Sequence, residues 1–290
     1  MENYLKELEY QAIDIIRDVV FNNDINKIVC FYSIGKDSSV LVHLFKKAFF
    51  PNKIPIKFLH IDTGWKFPEM YDFRNKIAKD IDLVIFKHTA NLNPYKDERR
   101  YTDVMKTEAL KLSQKELGYK IAFGGARRDE EKSRAKERIV SIRDLNSYWD
   151  VRNQNPEISP LYNPFYSNDT TIRVFPLSNW TELDIWKYIR HENIEIVPIY
   201  FSHKRKVKVK NSKGKEQLLI SENKNEGIEL DVRFRTLGCY PLTGAVRSKA
   251  KNLDEIIKEL ETTLYSERIT RVIDYDKAGS MEIKKREGYF

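Results

Sequence analysis

Short apolar, β-rich runs alternate with segments of helical period along the first two thirds of the chain, and this alternation constrains the fold most. Strands are predicted at residues 27–32, 56–61, 83–88, 120–123 and 171–177. Helices are predicted at residues 4–21, 38–49, 68–79, 103–117 and 181–192. Such alternation is typical of an α/β fold. We therefore predict a doubly wound, mostly parallel five-stranded sheet with helices on both faces.

The pattern changes after residue 194. Residues 204–220 alternate charged and apolar side chains around a turn at 211–214, which predicts an exposed hairpin, and residues 253–264 have a helical period. The tail, residues 266–290, is charged and weakly periodic. We predict an α/β domain over residues 1–195 and a C-terminal region over 196–290 that carries the hairpin and a helix.

Charge and cysteine content narrow the function classes. The net charge of +8 fits either a nucleic-acid surface or sites for small anions, and basic residues alternate with acids almost everywhere. The two cysteines, Cys30 and Cys239, have no metal-ligand spacing, so we predict no zinc and no iron–sulfur cluster held by this chain. No apolar run approaches the ~18 residues that span a bilayer, and the N-terminus lacks an apolar signal core. We predict a cytoplasmic protein without membrane contact.

The strongest chemical signal is the run SIGKDSS at residues 33–39, between the first predicted strand and its helix. A glycine-containing turn before a helix N-terminus presents backbone N–H groups and a positive dipole to phosphate oxygens. The spacing differs from a Walker A loop, which ends GK[ST]. An ordinary strand-to-helix turn is the alternative. The predicted phosphate ligands are Ser33, Gly35, Lys36, Asp37, Ser38 and Ser39.

SIGKDSS resembles the pyrophosphate-binding motif, usually SGGxDS, of the N-type ATP pyrophosphatase superfamily. The resemblance implies an adenine nucleotide alpha hydrolase-like fold and cleavage of ATP between its α and β phosphates. Ile34 stands where the motif has its first glycine. If SIGKDSS is a pyrophosphate-binding motif, we therefore expect that the backbone at Ile34 does not need a positive φ.

Longer stretches narrow the resemblance to a family. Residues 60–74, 102–110, 123–139, 173–189, 233–246 and 271–290 resemble the small, catalytic subunit of heteromeric sulfate adenylyltransferase. The resemblance implies that ATP, with Mg²⁺, and sulfate give adenylyl sulfate and pyrophosphate at the start of sulfate assimilation toward cysteine. It also implies a heterodimer or higher assembly with a large subunit that hydrolyses GTP.

Two arginines follow a strand-end Gly124-Gly125 pair, where they could neutralise the charge of the two anionic reactants that the resemblance implies. Arg127 and Arg128 offer planar forks for sulfate or α-phosphate oxygens, and with Lys36 they are the predicted catalytic residues. The glycines are expected to let a nucleotide approach the backbone. The alternative is a solvent-exposed helix, because residues 127–138, RRDEEKSRAKER, place opposite charges four positions apart, where they can form ion pairs on a helix surface.

Other candidates have competing interpretations. Asp62 and Gly64 end the second strand and fit either adenine or ribose contacts or a plain turn. Asp37 fits Mg²⁺ binding through water or helix capping. His60 is predicted to be a packed core residue rather than a base, and Trp180 and Trp186 are predicted core or interface residues. By family analogy, Arg233, Arg235 and Gly238 cover the nucleotide.

Two other functions are weighed. A reductase of adenylyl sulfate or phosphoadenylyl sulfate needs a thiolate near the C-terminus, and no cysteine follows Cys239. A tRNA-modifying or RNA-binding protein needs a clustered basic face, and the only dense basic block is residues 204–215, which we assign to the hairpin and to partner docking. Nucleic acid is therefore not a predicted partner.

Overall fold

The computed structural model describes residues 2–90, 92–144, 146–149, 152, 154–157, 167, 169–212, 215–223, 226–263, 266 and 267. Its helices are α1 (Asn3–Phe21), α2 (Lys36–Phe49), α3 (Pro68–Ile77), α4 (Glu98–Thr102), α5 (Ala109–Leu117), α6 (Lys132–Ala135), α7 (Glu182–His191) and α8 (Leu253–Glu261). Its strands are β1 (Ile28–Phe31), β2 (Lys57–Asp62), β3 (Leu83–Lys87), β4 (Ile121–Phe123), β5 (Val140–Asp144), β6 (Thr170–Val174), β7 (His203–Ser212), β8 (Lys215–Leu219), β9 (Ile228–Arg233) and β10 (Val246–Arg247).

The larger sheet has the order β3-β2-β1-β4-β6-β5 within the described residues. Its first five strands in this order run parallel, which confirms the predicted parallel sheet. The prediction of five strands is wrong by one, because β5 adds an antiparallel edge to β6. This strand follows the charged segment 127–138, and an edge strand with one solvent-facing side lacks the continuous apolar run that marks a central strand.

Helices cover both faces of this sheet, as predicted. On one face α1, α2 and α7 pack with Trp180 and Trp186 into the main core, which confirms the core placement of both tryptophans. On the other face a smaller cluster joins β1 and β2 to α5 through Leu110. The two-sided covering explains why every residue of β1 is buried.

The helix predicted at residues 181–192 is present as α7. It starts with a capping box: Thr181 Oγ1 accepts from the Asp184 amide at 3.1 Å, and the Asp184 carboxylate accepts from the Thr181 amide at 2.8 Å. The predicted helix at residues 103–117 is confirmed, with two differences. It follows α4 directly, so the helical stretch starts earlier than predicted, and its first part, Asp103–Glu108, is π-helical before α5 continues to Leu117.

The smaller sheet is antiparallel, in the order β10-β9-β7-β8. The β7–β8 pair confirms the predicted hairpin, although turn residues 213 and 214 lie outside the described part. The predicted exposure of the hairpin is only partly right: residues 204, 206 and 208–211 are exposed, but Val207 and Leu218 are buried in the main core. Strands β9 and β10 were not predicted. The charged tail also lies outside the described part, except Ser266 and Glu267.

In the described part of the chain, no helix combines the length and apolar character needed to cross a membrane.

Candidate active site

A cavity of about 240 Å³ lies at the carboxyl ends of β1, β2 and β4. Its wall includes the loop after β1, the end of β2, the turn after β4 and residues 236–238, which follow β9. Ligands of open α/β sheets bind at this edge, outside the carboxyl ends of the strands. Five of the six predicted phosphate ligands line this cavity: Ser33, Gly35, Lys36, Asp37 and Ser38.

The loop between β1 and α2 holds a strained backbone at Ile34. Its φ is 70°, so the expectation that this position needs no positive φ is wrong. A β-branched residue in this region costs of order 1–3 kcal/mol and persists only where its surroundings hold it. The Ile34 side chain is fully buried in the main core, which supplies that anchor. The turn therefore keeps the geometry that glycine gives the motif, with a core contact added.

Two hydroxyl groups tie the loop to the first turn of α2. Ser38 Oγ donates to the carbonyl of Gly35 at 2.9 Å and lies 3.2 Å from Ser33 Oγ. The amide of Lys36 donates to the Tyr200 hydroxyl at 2.8 Å. Because α2 begins at Lys36, its first-turn amides point toward the cavity end of the helix. The loop is thus held by its own serine hydrogen bonds and by Tyr200, in the turn before β7.

The centre of the site is a buried network of two cations and two carboxylates. Lys36 and Arg127 are each 1% exposed. Lys36 Nζ pairs with Asp37 at 3.1 Å and with Glu267. Arg127 pairs with Asp37 at 2.7 Å and with Glu267 at 2.5 Å. The structure therefore joins two of the three predicted catalytic residues, which are 91 positions apart in the sequence, through shared carboxylates.

The network sets the charge of its members. Burial alone would lower the pKa of Lys36, but the carboxylates of Asp37 and Glu267 outweigh it and raise that pKa. The same balance raises the pKa of Arg127. Burial raises the pKa of Glu267 to about 7, although Lys36 and Arg127 oppose the shift. Both cations therefore keep their charge inside the protein, as binding of an oxyanion requires.

Gly125 brings the strand-end turn against α2. A Cβ placed on this glycine would lie 3.2 Å from Asp37 and 3.3 Å from the Ser38 amide nitrogen. The glycine thus serves close packing between the turn and α2 in this structure, whereas the sequence suggested close approach of a nucleotide. Gly125 also lines the cavity, whereas Gly124 and Ser39 are not part of the wall.

Arg128 points away from its neighbour Arg127. Its guanidinium donates to both carboxylate oxygens of Glu157 at 2.8 Å and to Asn179 at 2.7 Å. It is outside the cavity wall. The catalytic role of Arg128 stays a prediction that this geometry does not support.

Asp62 and Gly64 form the turn that was the alternative interpretation. The Asp62 carboxylate accepts from the Gly64 amide at 2.9 Å, from the Tyr71 hydroxyl at 2.9 Å and from Arg74 at 3.0 Å. Burial opposes these bonds, yet they lower the pKa of Asp62. The neighbouring Thr63 lines the cavity, and Asp62 does not.

Of the three residues predicted to cover the nucleotide, one lines the cavity and two do not. Gly238 lines the cavity with Thr236 and Leu237. The two arginines before it are buried elsewhere: Arg233 pairs with Glu259 of α8 at 2.9 Å, and Arg235 pairs with Glu182 of α7 at 2.5 Å. They hold the segment in place rather than reaching into the cavity.

His60 packs as predicted. It is 1% exposed, and its Nδ1–H donates to the carbonyl of Tyr32 at 2.8 Å. Burial, with the nearby charge of Lys66, lowers the pKa of His60 to about 4, so the ring is neutral near pH 7. It borders the cavity as a neutral group.

Sequence reasoning missed several wall residues. Tyr200 and Glu267 both contact Lys36, from positions 164 and 231 residues away, and no local pattern marks either one. Lys66 and Lys106 line the other end of the cavity, near buried Cys239. There Thr63 Oγ1 and the Tyr101 hydroxyl lie 3.1 and 3.0 Å from the Cys239 sulfur. The basic character of the loop after β2 and of the π-helical segment was the only available signal for the lysines.

Comparison with known proteins identifies the family. A protein of Aliivibrio fischeri (strain MJ11) named sulfate adenylyltransferase subunit 2 is 53% identical over 300 residues, covering 99% of this chain and 98% of the relative. The protein of the same name from Pseudomonas fluorescens (strain Pf0-1) is 52% identical over 303 residues, with the same coverage. The chain belongs to the sulfate adenylyltransferase subunit 2 family.

A broader family profile, described as the phosphoadenosine phosphosulfate reductase domain, matches residues 27–245. Among solved structures, phosphoadenylyl-sulfate reductase from Candida auris, in a phosphate complex, aligns at 17% identity with a TM-score of 0.47, covering 69% of this chain and 90% of the other. FMN adenylyltransferase from Candida glabrata aligns at 15% identity with a TM-score of 0.49, covering 92% and 87%.

Proposed function

We propose that this chain transfers the adenylyl group of ATP to sulfate, giving adenylyl sulfate and pyrophosphate. The observation that carries the proposal is the meeting of Lys36 and Arg127 beside the phosphate loop at the carboxyl edge of the sheet. Membership of the sulfate adenylyltransferase subunit 2 family supports the same reaction.

The chemistry requires this charge arrangement. Sulfate is a weak nucleophile and both reactants are anions, so catalysis depends on charge neutralisation and in-line alignment. The loop amides and Lys36 would hold the departing pyrophosphate. Arg127, on the other side of the Glu267 carboxylate, would offer its guanidinium to sulfate. A sulfate oxygen then bonds to the α-phosphorus as the bond from that phosphorus to the bridging oxygen breaks.

Magnesium would accompany ATP in this reaction and offset phosphate charge. Among the described residues, no group of three or more His, Cys, Asp or Glu side chains could hold a metal ion. The Asp37 carboxylate already accepts from Lys36 and Arg127, so it offers Mg²⁺ a contact through water rather than a direct bond. This fits an ion held mainly by phosphates and water, which Mg²⁺ commonly accepts.

The C-terminal region and a partner complete the proposal. Residues 1–195 would bind the nucleotide, and residues 196–290 would cover the substrate and dock a large subunit whose GTP hydrolysis drives the uphill formation of the sulfate–phosphate anhydride. The "subunit 2" name of the relatives supports a heteromeric assembly. A cytoplasmic location fits a reaction that consumes ATP.

A reductase reaction fits the site less well. It needs a thiolate that attacks sulfur, and Cys239 is fully buried behind Thr63 and Tyr101. The other cysteine, Cys30, lies inside β1, where burial raises its pKa well above the usual value.

Isotope exchange between labelled pyrophosphate and ATP tests the proposal, with the chain assayed alone and with its large subunit. We expect label in ATP only when adenylyl sulfate, or ATP with sulfate, is present, because sulfate and pyrophosphate exchange places on the adenylyl group directly. Equal exchange without sulfate would indicate a covalent adenylyl-enzyme. Release of sulfite and AMP from adenylyl sulfate with a thiol would indicate the reductase.

A further inference from the structure

Glu267 joins the central network from beyond α8, whereas Lys36 and Asp37 follow β1 and Arg127 follows β4. Its neighbour Ser266 donates through Oγ to the backbone carbonyl of Glu130 at 2.8 Å, which seats this short piece of chain on the turn after β4. Glu267 itself is 3% exposed and lines the cavity. A carboxylate is thereby placed in the wall of a site built for anions.

The two oxygens of this carboxylate are divided between the two cations. Oε2 bonds to Lys36 Nζ, and Oε1 accepts from Arg127 Nη2 at 2.5 Å. Bridging of this kind, with one oxygen on each cation, is how a phosphate or sulfate group would use the same pair. The carboxylate of Glu267 therefore uses the contacts that such an oxyanion would need.

The charges of the acidic side chains around Lys36 and Arg127 affect how an anion can bind these two cations. Lys36 and Arg127 contribute two positive charges, and the shared carboxylates of Asp37 and Glu267 contribute two negative ones when ionised. Asp129 adds a partly exposed carboxylate at 3.4 Å from Arg127. Both cations are almost completely buried against these carboxylates. Losing the Glu267 carboxylate removes one negative charge from their surroundings.

We propose that Glu267 is a built-in competitor of the substrate anions, which must displace its carboxylate from Lys36 and Arg127 before they can bind. The proposal rests on the phosphate-loop function proposed above. It makes Glu267 a residue that sets the site's affinity for oxyanions, since every anion that uses these cations does so at the expense of this contact.

The direct test is pyrophosphate binding to the full chain by isothermal titration calorimetry, with wild type and Glu267→Gln compared. Glutamine keeps the shape and removes the charge. We expect pyrophosphate to bind the variant about tenfold more tightly, equivalent to about 1.4 kcal/mol. A supporting role for Glu267, in which it only orients the cations, predicts the opposite sign, because its loss would then weaken anion binding.

Glu9→Gln is the matched control. Glu9, on α1, is 5% exposed and pairs at 2.6 Å with Lys47, which lies on α2 as Lys36 does. Glu9 is not part of the cavity wall. We expect it to leave pyrophosphate affinity unchanged. An equal gain in both variants would overturn the proposal, because the effect would then reflect loss of any buried charge.

Glu267→Asp keeps the proposal testable if the glutamine variant folds poorly. Its shorter side chain weakens the contact without removing the charge, so a smaller gain in affinity is expected, and no gain or a loss overturns the competitor role. Binding by wild type and variants alike, with no gain, contradicts only this inference. Absence of pyrophosphate binding in all of them contradicts the phosphate-loop assignment as well.

Discussion

Two neighbouring buried arginine networks look alike by burial and pairing but differ in whether their acidic partners line the cavity. In the first, Arg127 pairs with Asp37 and Glu267, which are both part of the cavity wall. In the second, Arg235 pairs with Glu182 of α7, and neither of these residues is part of the wall. The comparison shows that a buried, paired arginine is not by itself a functional signal, because the position of its partners decides which network can meet a ligand.

The largest difference between the two regions should come from Lys36. We expect Lys36→Ala to lower the rate of adenylyl sulfate formation at least about 100-fold, the loss typical when a preorganised charge contact to the transition state is removed. Steady-state assays of the complex with its large subunit measure this. Lys47→Ala, on the same helix but paired with Glu9 outside the cavity, is the control and should keep its activity. Near-normal turnover of Lys36→Ala would refute the phosphate-loop assignment.

Breaking the Arg235–Glu182 pair should lower the stability of the folded protein. Arg235→Ala leaves the Glu182 carboxylate buried without its ion pair, and we expect the free energy of unfolding to fall by about 3 kcal/mol. Urea denaturation measures it, with Arg247→Ala as control, because the Arg247–Glu216 pair is exposed and solvent screening leaves it little effect on stability. A raised KM for ATP with unchanged stability would instead place Arg235 on the nucleotide.

Replacing Arg127 should change the KM for sulfate more than the KM for ATP. We expect Arg127→Ala to raise the KM for sulfate about tenfold, a loss of about 1.4 kcal/mol, and to change the KM for ATP less, because Lys36 and the loop amides remain. Initial-rate assays with each substrate varied in turn give both constants. If ATP alone is affected, the sulfate role is wrong and Arg127 belongs to the nucleotide phosphates.

The smallest effect concerns His60, which borders the cavity without joining either network. Since burial lowers its pKa to about 4 from the usual 6.5, its ring should show no titration between pH 6.5 and pH 8 in histidine-labelled NMR spectra. The unfolded chain binds a proton there below pH 6.5 and the folded chain does not, so stability contributed by the neutral ring is lost as pH falls from 6.5 toward 4. A ring that titrates near 6.5 would contradict the packed, neutral assignment.

Local sequence was enough for the elements that carry the phosphate loop. The apolar run of β1, the SIGKDSS turn and the amphipathic α2 are adjacent in the chain, so composition and spacing predict them. The same local reasoning missed β5 and β9, although VSIRD and IELDVR place apolar residues at every second position, and it missed β10, which is only two residues long. It also misjudged Ile34, since the core contact that holds its positive φ comes from tertiary packing.

The sequence by itself determined the alternation of strands and helices, the position of the SIGKDSS turn between β1 and α2, and the resemblance to the family, because runs of adjacent residues carry these signals. Only the tertiary structure decided which of two adjacent arginines faces Lys36 and which clamps Glu157. Only it placed Glu267 between Lys36 and Arg127 across 231 and 140 positions. The physical reason is that an ion pair depends on distance in space, and one acid in a charged tail carries no local mark of the cation it will meet.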